Sequence, residues 1–186
     1  MKRIAITGGI GSGKSFVCAM LRERGFKIYD CDSAARRIML ESADVRHKLV
    51  SLIGDNIYIG GKLNKPLLRN FILSGDCYAH KVNSIVHPAV ANDFLLSGIQ
   101  TMECAILFSS GFNKLVDKVI CVSAPYDVRL KRVMSRDGIS EKKAAAWINR
   151  QMCQDEVEAR SDYIINNDGV SDIAVQLDKA IAMFYT

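Results

Sequence analysis

Thr7-Gly8-Gly9-Ile10-Gly11-Ser12-Gly13-Lys14-Ser15 sets glycines, a lysine and a hydroxyl at the spacing G-x-x-x-x-G-K-[ST]. That spacing suits a triphosphate: backbone N–H groups of Gly8 to Phe16 cradle the anion, and Lys14 reaches the outer phosphates. The Ser15 hydroxyl is the candidate Mg²⁺ ligand. Asp30 and Asp32 flank one residue, and an extended backbone would put both carboxylates on one side. Beside a phosphate loop, such a carboxylate can orient an acceptor hydroxyl, because phosphoryl transfer depends on positioning and charge neutralisation more than on base strength. The bland alternative is that Asp32 only caps a helix beginning at Ser33. Arg129, Arg132 and Arg136 form one helical stripe, either a solvated basic face or arginines of a lid over the phosphates. His87-Pro88 reads most simply as a helix boundary, since a residue before proline is pushed out of the α region.

Neighbouring motifs fail. A dinucleotide fingerprint begun at Gly9-x-Gly11 would need its third glycine at Lys14. Asn113 to Asp117 has one residue too many for a guanine-reading N-K-x-D. A motor-type ATPase closes an apolar strand with an acid that holds Mg²⁺, whereas the strand expected over 103–108 runs into Ser109-Ser110.

The elements that must position these groups alternate. A strand over 3–7 leads through the loop into a helix with Phe16, Val17, Met20 and Leu21, ending at Gly25. A strand over 27–29 runs into 30–32, followed by a helix with Ala34, Ala35, Ile38 and Met39 on one face and a second helix over 45–53. A glycine-rich bend covers 54–61, and 64–100 reads as helical with interruptions at Pro66 and Pro88. Strands over 103–108 and 118–122 precede a basic helix over 127–136, broken at Asp137-Gly138. Ser140 can cap a helix whose face carries Ala144, Trp147, Ile148 and Met152. The chain closes with a strand over 163–166 and a helix bearing Ile173, Leu177, Ile181 and Phe184. This alternation predicts an α/β fold with a parallel sheet, whose ligands gather at the carboxyl ends of the strands.

Bulk properties narrow the class. The 186 residues suffice for one sizeable core, and 49% hydrophobic with 24% charged residues suits a soluble globular protein. No apolar run approaches the roughly 18–20 residues that span a bilayer, and the leading residues do not read as a signal peptide. Six cysteines without a C-x-x-C pair read as reduced thiols, and three histidines lack metal-ligand spacing. These features predict a cytoplasmic protein. A net charge of +5 suits polyanionic small substrates and lacks the dense basic stripe of a nucleic-acid binder.

The residues taken together resemble the dephospho-coenzyme A kinase family over nearly the whole chain. The carriers are TGGIGSGKS, Asp30 to Arg36, Lys62-Leu63-Asn64 with Leu68-Arg69 and Phe71, His87-Pro88, Leu130 to Asp137, Gln151 and Ile165 to Gly169. The resemblance implies a P-loop, nucleotide-kinase-like three-layer fold with a helical substrate-binding insertion and a lid. The core would take 1–58, 101–136 and 156–186, the insertion 59–100 and the lid 137–155. It implies transfer of the ATP γ-phosphate, with Mg²⁺, to the ribose 3′-hydroxyl of dephospho-coenzyme A. Asp32 would be the base, Lys14 and Arg136 would stabilise transferring charge, and Arg132 would meet ATP. Asp30, Arg36, Arg69 and His87 would serve the acceptor, with no membrane or nucleic-acid partner and a monomer or weak oligomer. Ser109 stands where the family usually has glutamate, Ala105 where proline is frequent, and Phe16 where threonine is. A kinase of another small hydroxyl acceptor, such as a nucleoside monophosphate, and a low-turnover nucleotide-binding protein are the rival readings.

Overall fold

A computed structural model describes residues 2–185. Its first strand β1 (Ile4–Thr7) passes through the glycine loop into α1 (Lys14–Glu23), and β2 (Ile28–Asp30) follows. Then come α2 (Cys31–Glu41), α3 (Ala43–Ile53), a small hairpin of β3 (Tyr58–Ile59) and β4 (Lys62–Leu63), α4 (Lys65–Leu73) and the long α5 (Asp76–Ser97). β5 (Thr101–Glu103), β6 (Lys118–Ser123), α6 (Tyr126–Asp137), α7 (Glu141–Asn149), α8 (Gln154–Ala159), β7 (Tyr163–Asn166) and α9 (Ile173–Phe184) complete the described chain.

Two compact units result, residues 1–29 with 99–186 and residues 30–98. The first is built on a sheet ordered β2-β5-β1-β6-β7, with β1 parallel to β5 and β6, and β6 parallel to β7. Alternation along the strands sends Ile4, Ile6, Ile120, Val122 and Ile165 into one cluster with Val17, Leu21, Leu177 and Phe184 of α1 and α9. Ala5, Val119 and Cys121, which alternate with them, are buried too, so the central strands are covered on both faces.

The second unit is helical, with α2, α3 and α4 packed on α5. The expected insertion boundary at residue 59 falls inside it, because α2 and α3 pack with α5. The predicted break at His87 is absent: α5 runs through Pro88. A proline inside a helix costs about 3 kcal/mol, and the buried stripe Val82, Val86, Val90 and Phe94 offsets it.

Three further expectations are corrected. α2 starts at Cys31, so Asp32 lies in its first turn and does not share an extended face with Asp30. Asp30 is the cap: its Oδ1 accepts from the N–H groups of Asp32 at 2.9 Å and Ser33 at 3.1 Å. β5 ends at Glu103, and 105–110 form turns instead of the expected strand continuation. Ser140 occupies the N-cap of α7 without a side-chain capping bond, and Met152 lies beyond that helix.

Candidate nucleotide site and acceptor residues

The phosphate loop is held open by contacts that only glycine tolerates. A Cβ on Gly11, at φ 80°, would stand 2.6 Å from the Arg129 carbonyl oxygen, and one on Gly13 would collide with the Asn167 amide. Asn167, itself buried, donates from Nδ2 to the Ser12 carbonyl at 2.7 Å and ties the loop to the end of β7. Among the described residues the N–H groups of Gly11, Gly13, Lys14 and Ser15 have no protein acceptor, and the buried Ser12 hydroxyl has no partner. These are the uncommitted donors an anion requires. Two expected donors are already spent: Phe16 N–H bonds the Gly13 carbonyl at 3.0 Å, and Ile10 N–H bonds Gln151 Oε1 at 2.6 Å.

At the foot of the loop lies Glu103, which sequence reasoning missed by extending β5 past it. Its Oε1 accepts from Lys14 Nζ at 2.9 Å and from the Ser15 hydroxyl at 2.8 Å, and its Oε2 lies 3.6 Å from Arg22 Nη2. Burial works against its charge, but Lys14 and hydrogen bonds from Lys14, Ser15 and Cys18 outweigh it, holding the carboxyl below the usual range. The expected absence of an acid closing an apolar strand is therefore corrected; the strand is shorter and the acid is Glu103. The available signal was a lone carboxylate in an apolar run just before the turn-forming Cys104-Ala105.

The arginine stripe on α6 divides. Arg129 is buried, not a solvated face: Nε donates to the Ile10 carbonyl at 3.0 Å and Nη1 to Gln154 Oε1 at 2.7 Å. Arg132 reaches the same loop, with Nη1 3.4 Å from the Gly11 carbonyl oxygen and Nη2 3.1 Å from Asn167 Oδ1. Arg136 is exposed and pairs with its neighbour Asp137 at 2.7 Å, away from these contacts. A cavity of about 650 Å³ opens beside Arg129, bounded by Tyr126, Gln151, Gln154, Glu158 and Asp168 among others.

In the helical unit, committed and uncommitted charges separate. Arg37 pairs with Asp93 at 2.6 Å, and Arg46 lies over the Tyr58 ring at 4.2 Å. By contrast, Asp32 on α2, Arg36 on α2 and Arg69 on α4 are exposed, and no described side chain or backbone group partners their charged ends. His87 on α5 is half-buried, and burial, with His80 nearby, lowers its pKa from the ordinary 6.5. Asp30, one of the expected acceptor residues, spends its carboxylate on the helix cap and on the Ser33 hydroxyl at 2.8 Å.

The family model for dephospho-CoA kinase matches residues 2–172. The chain belongs to the dephospho-CoA kinase family. It is 36% identical over 190 residues to a dephospho-CoA kinase of Bacteroides fragilis, covering 98% of this chain and 93% of the relative. It is 41% identical over 174 residues to one of Porphyromonas gingivalis, covering 90% and 86%. A crystal structure of a Thermus thermophilus protein superposes with a TM-score of 0.86 at 29% identity, over 98% of this chain and 96% of that one. Kinases of this family are ATP-dependent transferases.

Proposed function

We propose that this chain transfers the γ-phosphoryl group of ATP to the ribose 3′-hydroxyl of dephospho-coenzyme A, the last step of coenzyme A synthesis. The observation that carries the reading is the uncommitted row of N–H donors above Lys14, Ser15 and Glu103, in a chain of this family. Ser15 and Glu103 supply hard oxygen donors 2.8 Å apart. That set suits Mg²⁺, which takes one or two protein ligands and completes its shell with phosphates and water. Bound there, the ion would neutralise phosphate charge.

The protein's own part is positioning. Asp32, exposed and uncommitted, accepts the acceptor hydroxyl's proton and aligns its oxygen. Arg36 and Arg69 bind the acceptor's phosphates, and His87 joins them on the acceptor side. Lys14 moves from Glu103 to the outer phosphates, Arg132 steadies the nucleotide, and Arg136 exchanges the exposed Asp137 for transferring charge. The lid comprises 137–155, and the acceptor is gripped by the helical unit. A cytoplasmic location fits six free cysteines; no helix among the described residues is long and apolar enough to cross a membrane.

The test is a coupled ADP assay with Mg·ATP and a panel of acceptors. ADP release with dephospho-coenzyme A well above that with nucleoside monophosphates supports the reading. Turnover that favours a nucleoside monophosphate, or none with any acceptor while ATP binds, would replace it.

A further inference from the structure

Lys14 and Ser15 both lean on one oxygen of Glu103, and that arrangement cannot persist once nucleotide is bound. Resting on the proposed Mg·ATP reading, the ammonium goes to the phosphates and the hydroxyl turns to the cation. Oε1 then exchanges both donors for the cation's side of the site, in a residue that is only 7% exposed. The cation then offsets its charge, and its aim depends on what holds the other oxygen.

Two side chains of α1, one turn apart, reach Glu103 and belong to no nucleotide-binding group: Cys18 and Arg22. The Cys18 thiol is wholly buried and donates a hydrogen bond to the carboxylate. Arg22 Nη2 lies 3.6 Å from Oε2, the oxygen that Lys14 and Ser15 do not use. Its guanidinium is half-exposed, with room to tighten as Lys14 withdraws.

We infer that Arg22 is a positioning residue that holds Oε2 of Glu103, so that Oε1 stays aimed at the Ser15 side when Lys14 leaves for the nucleotide. Arg22 touches neither nucleotide nor acceptor; it acts through the carboxylate. Outer partners of metal-site carboxylates typically change metal affinity or activity by 10–100-fold when removed, and a half-exposed pair at this separation belongs at the lower end.

Calorimetry of ATP binding, without acceptor, over a range of Mg²⁺ concentrations and in EDTA tests this. The chains compared are the parent, Arg22→Gln, Arg22→Lys, Glu103→Gln and Arg22→Gln with Glu103→Gln. Arg22→Gln is expected to raise the half-saturating Mg²⁺ concentration about tenfold and to leave affinity in EDTA within about twofold. Arg22→Lys should recover most of the loss, and the double variant should be no worse than Glu103→Gln alone. Unaltered Mg²⁺ dependence in Arg22→Gln, an equal loss in EDTA, or additive losses in the double variant would each overturn the inference. A parent that binds no ATP at all would overturn the kinase reading as well, which separates the two failures.

Discussion

Asp32→Asn keeps the side chain's shape and removes its charge, so it isolates what the carboxylate does for the acceptor hydroxyl. Turnover is expected to fall ~10²–10⁴-fold, with ATP affinity by calorimetry close to the parent's. Retention of full turnover would strip Asp32 of that role. Its neighbour Asp30 responds differently because its Oδ1 already holds two N–H groups of α2. Asp30→Ala should lower stability by ~1 kcal/mol in urea unfolding, over and above any effect on the acceptor. Two carboxylates that looked equivalent along the chain separate as soon as the helix begins at Cys31 instead of Ser33. Sequence alone offered no reason for that two-residue shift, since a D-x-D-S run is compatible with either residue as cap.

Among the elements, β1, the loop and α1 were legible because glycine spacing, apolar runs and helical period agree there. The terminal β7–α9 pair was legible for the same reason. Leu177 of α9 is fully buried against β1, β6 and β7 through the shared cluster. Leu177→Ala should therefore cost ~2–5 kcal/mol, measured by chemical denaturation. β5 was misread because Ile106-Leu107-Phe108 continues the apolar pattern after a three-residue strand has ended. Apolarity marks burial in a turn as readily as in a strand, and only the turn geometry distinguishes them. Pro88 misled in the opposite direction: the local rule against proline yielded to four buried side chains at helical spacing on α5. The roles of Arg129 and Asn167 were hidden because both depend on contacts more than a hundred residues apart in sequence.

For the whole molecule, acid sensitivity follows from the half-buried His87. Its folded pKa lies below the unfolded value near 6.5, so the unfolded chain takes up a proton first. The stability contributed by the neutral imidazole is complete above pH 6.5 and is lost as pH falls through the lowered folded pKa. Melting temperature measured at pH 7.5 and pH 5.5 should drop more for the parent than for His87→Gln. An equal drop in both chains would assign the acid sensitivity to other groups.

An idle copy of this chain keeps its loop cation satisfied, since Lys14 rests on Glu103 until something better arrives. Stray sulfate or orthophosphate must break that pairing without bringing a positive ion to compensate the carboxylate left behind. A triphosphate escorted by a divalent cation brings both charges together, so the resting ion pair filters visitors by whether they come with a counter-ion.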